Sequence, residues 1–455
     1  MAIDISNLTF DERDEFSRKV IAEKAITLLS SEIDVSPLVI DGGWGTGKTE
    51  FCHKLINPMK PAESHHLIYV DAFQADHADE PLLTVLAEVI KILPEGDERD
   101  GFMQKALPTI RYGLKALAKA GVGHLLRQDA ADVANDFDKE IQKAADKAID
   151  ASVESMLKDH VKASESLKSL QSALQEIAAQ MPIILFIDEL DRCRPNFAVN
   201  MLEIIKHTFD VEGVQFVLIT NTQQLKASIN HSYGHTVDAQ RYLDKFLKFT
   251  FALPDQYIIN GHQHYEVSVI HYQNLISQSP VLSSTKLDQD SAFLFVSHVI
   301  RTQNLSLREI ETLIRHLEIY HTLTGGKSFA ENVIFGYKLL RLMGVMLFCF
   351  KEELGDSIVK GRADAAQLAA FLGENSIVPI VENDLNADHH QVVLTMLGQE
   401  CFLNSGLFTP EEGHHEALWT NLIRDYFNRG GSPPRQGDKS RIVIGAIKAL
   451  SLSAN

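Results

Sequence analysis

Cysteine is scarce in this sequence. The 455 residues include four cysteines that lie far apart, and no two of them have the C-x-x-C spacing. Small secreted domains depend on dense, regularly spaced disulfides, and structural zinc sites usually draw on closely spaced cysteine pairs. We therefore exclude a disulfide framework and a paired-cysteine zinc site, and we expect a reduced, cytoplasmic setting.

Long hydrophobic runs are also missing. The most apolar stretch, Leu342–Phe350, is nine residues long, whereas a membrane-spanning helix needs about 20. The acidic start of the chain lacks the basic and apolar regions of a secretory signal. The sequence predicts no transmembrane segment, and we interpret Leu342–Phe350 as part of a buried core helix.

Basic residues are in deficit. Lysine and arginine total 43 against 61 aspartates and glutamates, which leaves a formal net charge of −18. Such a chain repels phosphate backbones and anionic lipid surfaces on average. The net charge therefore does not support direct nucleic-acid binding, although it does not exclude a local basic groove.

Short apolar strands that alternate with helices are abundant in the first half of the chain. The predicted strands are Leu38–Ile40, Leu67–Val70, Ile183–Ile187, Val214–Thr220 and Phe246–Leu253. Helices are predicted between or before these strands at Phe16–Ser30, Thr49–Asn57 and Glu80–Leu93, and beyond them at Ser291–Arg301, Leu307–Tyr320 and Ile334–Leu354. This alternation predicts an α/β fold: a parallel sheet with helices on both faces and the chemistry at the carboxyl ends of the strands.

A glycine-rich segment between the first strand and the next helix is the strongest functional signal. It reads Gly42-Gly43-Trp44-Gly45-Thr46-Gly47-Lys48-Thr49 and completes the pattern G-x-x-x-x-G-K-[ST]. In this pattern backbone N–H groups surround phosphate oxygens, Lys48 neutralises their charge, and the Thr49 hydroxyl ligates Mg²⁺. We assign these residues and the following Glu50 to nucleotide binding. The competing interpretation, a glycine-rich turn with a chance lysine, fits the flanking strand and helix poorly.

Two acids follow the strand Ile183–Ile187. Asp188 is predicted to hold Mg²⁺, and Glu189 to orient the water that attacks the γ-phosphate. The alternative is that acidic residues merely favour the N-terminus of the next helix, and this explains Asp191 as readily as a functional role does.

Three further polar residues are candidates with equally simple alternatives. Asn221 follows the strand ending at Thr220, where it can contact the γ-phosphate or serve as a turn residue. Arg241 is a candidate arginine finger, acting in the same chain or across a subunit interface, or a surface residue beside Asp238. Arg308 is a candidate reporter of the nucleotide's phosphates or a solvated helix charge. Pairs of adjacent histidines carry little metal signal, because neighbouring side chains point apart.

Taken together, these residues resemble the KAP family of P-loop NTPases. The resemblance rests on the loop with its internal Trp44, on the IDELDRCRP block that begins at Ile187, on RYLDKF from Arg241, on LSLREIETLIR from Leu305, and on Arg18. It implies an additional-strand P-loop fold with a helical lid, and it adds Arg18 and Arg308 to the nucleotide-binding residues. Many bacterial members belong to antiphage-defence or mobile-element loci. Many also carry transmembrane helices between the two phosphate motifs, where this chain has a polar segment.

The expected organisation follows from the strands and the resemblance. Residues 1–94 and 181–255 form the two parts of the P-loop domain, with a helical insertion at 95–180 between them. Residues 256–330 form the helical lid, and residues 331–455 form a C-terminal helical region.

The expected function is that of a Mg²⁺-dependent ATPase that switches a partner or its own assembly, in a setting of antiphage defence. ATP is favoured over GTP mainly by default. Partners are expected to be a homo-oligomer, an effector protein, or both. The alternatives are a weakly hydrolysing ATP-binding scaffold, a nucleoside or small-molecule kinase, for which no acceptor pocket is identified, and a DNA motor, which the net charge does not support.

Overall fold

A computed structural model describes residues 7–78, 81–106, 108–109, 165–259, 263–380, 387–427, 435 and 437–452. The described chain forms two compact units, Met1–Leu253 and Pro254–Asn455. Most of the predicted helical insertion, residues 110–164, lies outside the described residues.

The first unit is built on a five-stranded parallel sheet in the order β2-β3-β4-β1-β5. The strands are β1 Leu38–Asp41, β2 His66–Asp71, β3 Ile183–Asp188, β4 Val214–Thr220 and β5 Phe249–Ala252. Its helices are α1 Lys19–Leu29, α2 Lys48–Ile56, α3 Ala72–Ala75, α4 Pro81–Ile92, α5 97–106, α6 165–180, α7 Pro195–Thr208, α8 Thr222–Tyr233 and α9 Ala239–Leu243.

Helices cover both faces of this sheet because alternate residues of each strand point to opposite sides. On β3, Ile184 and Phe186 pack with the apolar residues of α1 and α2, whereas Ile183, Leu185 and Ile187 pack with those of α4 to α9. All six positions of β3 are buried. The structure thus confirms the predicted α/β fold with a doubly covered parallel sheet.

The second unit is mainly helical. Its helices are α10 Val267–Gln278, α11 Ser291–Thr302, α12 Leu307–Leu323, α13 Phe335–Phe350, α14 Glu352–Val359, α15 Ala365–Leu372, α16 His389–Gly398, α17 His414–Asp425 and α18 Asp438–Leu450. One apolar core joins residues from α10 through α18. The stretch Leu342–Phe350 lies in α13, whose central residues are buried, as predicted.

Several boundaries differ from the sequence-based prediction for local reasons. Helix α1 begins at Lys19 and not at Phe16, because the Asp14 carboxylate accepts hydrogen bonds from the backbone N–H groups of Arg18 and Lys19. The predicted helix 334–354 is divided at Lys351, whose φ of −144° and ψ of 63° are not helical.

The second unit also contains a hairpin that periodicity did not reveal. Strands β6 (Gln256–Ile259) and β7 (Gln263–Glu266) pair in antiparallel fashion. The sequence between them contains Asn260-Gly261, a dipeptide typical of hairpin turns. That signal was present in the sequence, but the short strands have no apolar alternation to accompany it.

Candidate functional site

The glycine-rich segment Gly42–Gly47 joins the end of β1 to the start of α2. Gly45 and Gly47 have φ of 73° and 81°, values at which a side chain is strained. A Cβ on Gly42 would lie 2.8 Å from Thr46 Oγ1, closer than a carbon and an oxygen can pack. The phosphate-binding pattern predicts glycine at positions 42 and 47, and the loop geometry adds Gly45 to the positions that favour glycine.

Lys48 begins α2 and is almost buried, with 9% of its surface exposed. Its ammonium group donates to the carbonyl oxygens of Gly42 and Gly43 at 2.7 and 2.9 Å. Burial lowers the pKa of Lys48, and the nearby carboxylates of Asp191, Asp188 and Asp41 oppose that shift. A cation therefore lies where the helix dipole and the backbone N–H groups of the loop also favour an anion.

Asp188 ends β3 and is 1% exposed. Its carboxylate accepts hydrogen bonds from Tyr69 Oη at 3.1 Å, from the backbone N–H of Glu189 at 2.7 Å and from the Thr49 hydroxyl. Burial raises the pKa of Asp188, and these hydrogen bonds oppose the shift. The structure thus brings the two predicted magnesium ligands, Thr49 and Asp188, into contact.

These oxygens fit a magnesium ion that is held mainly by substrate and water. Mg²⁺ commonly takes one or two protein oxygens and completes its shell with phosphate oxygens and waters. Within the described residues, no group of three or more His, Cys, Asp or Glu side chains could hold a metal by itself.

Glu189 directly follows β3 in the left-handed conformation, with φ of 59°. Its carboxylate pairs with the guanidinium of Arg192 at 2.8 Å. A non-glycine residue in this region is unfavourable unless its surroundings enforce it. Glu189 thus follows the carboxyl end of β3, at the same edge of the sheet as the loop that follows β1.

Asn221 and Arg241 have local contacts that match their simpler interpretations. Asn221 Oδ1 caps α8 by accepting from the backbone N–H groups of Gln223 and Gln224 at 3.0 and 3.4 Å. The Arg241 side chain is 86% exposed and pairs with Asp238 at 3.3 Å. Arg308 is an exposed residue of α12 in the second unit. Roles for these three residues in catalysis or sensing stay predictions.

Arg18 contacts the loop at Thr46, and its assignment to nucleotide binding stays a prediction. Its Nη1 donates to the carbonyl oxygen of Thr46 at 2.9 Å, and its guanidinium lies 5.0 Å from the ring centre of Phe16. Burial lowers the pKa of Arg18 to about 10, and the acidic group of Glu50 is the strongest influence in the opposite direction. Glu50 itself pairs with Lys54 at 2.6 Å.

A comparison with known protein families matches residues 18–324 to the KAP family P-loop domain. The chain belongs to the KAP family. It is therefore a P-loop NTPase by family, which implies nucleotide binding at the loop described above.

The two individual matches described next share little sequence with this KAP chain. It is 23% identical over 248 residues to the phage T7 exclusion protein of Escherichia coli (strain K12), a match that covers 50% of this chain and 31% of that protein. The match thus covers less than a third of that relative's length. A solved structure of a DNA replication initiation factor aligns over 98% of both chains at 13% identity and a TM-score of 0.29, which is too low to support an argument.

Sequence reasoning left two parts of the KAP site unassigned. Tyr69, on β2, contacts Asp188 although it lies over a hundred positions away in sequence. Asp191 contacts Trp44 and Thr220. The sequence alone did not distinguish a functional role for Asp191 from that of an acid at the start of a helix. Its position three residues after Asp188 was the available signal. Among the described residues, no helix is long and apolar enough to cross a membrane.

Proposed function

We propose that this KAP protein is a Mg²⁺-dependent ATPase whose nucleotide cycle acts as a switch on a partner or on its own assembly. The observation that carries the proposal is the meeting of Lys48, Thr49, Asp188 and Glu189 at one edge of the sheet. The strand order accounts for the meeting, because β4 separates β1 from β3 and the register aligns Asp188 with Ile219 and Asp41 with Thr220. Loop, cation, metal oxygens and base are the parts that phosphoryl transfer to water requires.

Each residue has a separate task in this proposal. Lys48 moves its ammonium charge towards the β- and γ-phosphates, and Thr49 and Asp188 supply oxygens to Mg²⁺, which neutralises phosphate charge when bound. Glu189 accepts a hydrogen bond from the attacking water, which forms a bond to the γ-phosphorus as the bond to the bridging oxygen breaks. Asn221 and Arg241 are proposed as further contacts of the γ-phosphate, with Arg241 acting in the same chain or from a second copy.

The biological setting is proposed from the Escherichia coli relative. Its name describes exclusion of phage T7, and we propose a role in antiphage defence for this chain, in the cytoplasm. The proposed partner is a second copy of the chain, an effector protein, or both. Since the match covers 31% of that relative, this part of the proposal rests on similarity to one part of that protein and not to its full length.

One observation favours a second candidate, an ATP-binding scaffold that hydrolyses little. The Glu189 carboxylate is engaged by Arg192 at 2.8 Å, and a base held in an ion pair is a weaker acceptor for water. In this case nucleotide holds an assembly together and turnover is slow.

Phosphate release from ATP distinguishes the two candidates. Wild type is compared with Lys48→Ala and Glu189→Gln, and native mass is recorded with and without Mg·ATP. A matched control pair, Lys91→Ala and Glu88→Gln, removes an exposed ion pair on α4. The ATPase proposal predicts turnover that both site variants abolish, with ATP still bound by Glu189→Gln and with both controls unaffected. Tight ATP binding without turnover in any assembly state would refute the ATPase and support the scaffold.

A further inference from the structure

One buried carboxylate joins three segments of the site. Asp191 is 7% exposed and lies in the 3₁₀ turn Leu190–Arg192 that follows β3. One of its oxygens accepts the indole N–H of Trp44 at 2.6 Å, and the other accepts the Thr220 hydroxyl at 3.2 Å. The turn after β3, the end of β4 and the loop after β1 therefore share a single side chain.

The sheet order explains why this contact matters. Strands β3 and β1 are not neighbours, since β4 lies between them. No backbone hydrogen bond of the sheet can connect the acid-bearing turn directly to the glycine-rich loop. The Asp191 carboxylate connects them instead, because it bonds to Thr220 at the end of β4 and to Trp44 in the loop.

Trp44 would otherwise have little to hold it. It lies in the middle of a glycine-rich loop and is 51% exposed, so packing against neighbours covers only half of it. The 2.6 Å bond to the Asp191 carboxylate is the hydrogen bond that ties the ring to the rest of the site. The loop conformation that places Lys48 and Thr49 is thereby coupled to the turn that carries Glu189.

We propose that Asp191 is a positioning residue for the glycine-rich loop and that it acts through the indole N–H of Trp44. In this view Trp44 is an anchor of the loop and not a contact of the nucleotide. The functional consequence rests on the proposed nucleotide binding, whereas the anchor itself can be tested without any nucleotide.

Three substitutions remove different parts of the contact. Trp44→Phe removes the indole donor and keeps a ring. Asp191→Ala removes both acceptor oxygens, whereas Asn could keep both contacts because its amide N–H can donate to the Thr220 hydroxyl. Thr220→Val removes only the hydroxyl bond. The matched control is Tyr233→Phe, which removes a ring donor from a 2.6 Å bond to Glu203 in the same unit, away from the loop.

The first measurement is the tryptophan emission of the full chain without nucleotide. The chain has two tryptophans, and Trp419 is buried in the second unit, so subtracting the Trp44→Phe spectrum isolates Trp44. Asp191→Ala is expected to shift the Trp44 emission and to raise its quenching by acrylamide. Unchanged emission and quenching in Asp191→Ala would overturn the anchor, whether or not the protein binds ATP.

The second measurement is the dissociation constant of Mg·ATP by calorimetry, with KM and kcat where turnover is present. We expect Trp44→Phe and Asp191→Ala each to weaken binding about tenfold, the equivalent of one hydrogen bond, with kcat within about twofold of wild type. Because both act through the bond between Asp191 and Trp44, the double variant should be no weaker than Asp191→Ala alone. Thr220→Val is expected to have a smaller effect, and Tyr233→Phe none.

Two results would refute the inference. Additive losses in the double variant would show that Asp191 does not act through Trp44. Unchanged affinity in Trp44→Phe, together with a loss in Asp191→Ala, would place the role of Asp191 in its carboxylate near Lys48. If wild type binds no nucleotide, the proposed function fails and the emission measurement still decides the anchor. Should Asp191→Ala not fold, Trp44→Phe and Thr220→Val carry the test through affinity.

Discussion

The Gly42→Ala substitution tests how tightly the loop is packed. The added Cβ would lie 2.8 Å from Thr46 Oγ1 and 3.4 Å from Lys48 Cδ. The Thr46 hydroxyl cannot simply turn away, because it donates to the carbonyl oxygen of Gly43 at 2.9 Å. Part of the loop must therefore move, or this hydrogen bond must break.

Two opposing contributions set the expected magnitude. Forcing one additional carbon into a packed site costs about 1–3 kcal/mol. Replacing glycine by alanine also stabilises a compatible site by about 0.4–1 kcal/mol, since the unfolded chain loses freedom. Gly43→Ala is the matched control, because its Cβ would lie 3.8 Å from Thr46 Cγ2, an ordinary contact. The second contribution cancels between the two variants, so Gly42→Ala should be less stable than Gly43→Ala by about 1–3 kcal/mol.

The assay is urea unfolding followed by amide hydrogen exchange in peptides of β1 and α2, without nucleotide. This readout follows the first unit by itself and keeps ligand contacts out of the comparison. In a Thr46→Ala background the clashing oxygen is gone, and the cost of Gly42→Ala should fall below about 0.5 kcal/mol. Equal stability of the two alanine variants, or no recovery with Thr46→Ala, would refute the packing argument.

Three further predictions concern the rest of the chain. Burial raises the pKa of all four thiols, to about 11 for Cys401. At pH 7.5 the native protein should therefore react slowly with a disulfide reagent that labels every thiol after denaturation. Rapid labelling of the native protein would contradict this prediction. Glu400→Ala should lower the free energy of unfolding of the second unit by about 3–5 kcal/mol, because the buried carboxylate accepts hydrogen bonds from the backbone N–H groups of Gly437 and Ser440 and from Lys439. Urea unfolding beside the exposed control Glu352→Ala measures the change, and a loss below about 1 kcal/mol would count against the prediction. Burial lowers the pKa of His390 below 6.5, so the unfolded chain binds the proton more readily than the folded one. The free energy of unfolding should therefore fall as the pH drops below 6.5, and it should fall less steeply in His390→Gln. A free energy of unfolding that stays constant down to pH 5.5 would refute this prediction.

The central strands of the first unit could be predicted from the sequence because a strand buried on both faces is a continuous apolar run. Val214–Thr220 has the predicted bounds, and β3 extends one residue beyond them to Asp188. The edge strand β5 was less predictable: it starts at Phe249 because Phe246 N–H bonds to the Leu243 carbonyl in a turn. Aromatic residues near a strand are thus insufficient to place its first hydrogen bond.

The site shows the same division between local and long-range information. The spacing of Gly42, Lys48 and Thr49 is local, so a pattern can find it. The contacts of Asp191 with Trp44 and Thr220 depend on which strands are neighbours, and strand order is a property of the whole sheet. Asn221 marks the remaining ambiguity, since the same amide can cap a helix or face a ligand.

The position of β2 at the edge of the sheet has a consequence for how this domain can change. The chain leaves β2 at its carboxyl end after Asp71 and re-enters the sheet at the amino end of β3, the strand that pairs with β2. The connection 72–182 therefore does not interrupt the pairing of β3, β4 and β1, whose carboxyl ends carry the two acids and the glycine-rich loop. Doubling the length of a flexible connection costs only about 0.6 kcal/mol in closure entropy. The domain can thus accept connections of very different length between β2 and β3 while β3, β4 and β1 keep their register.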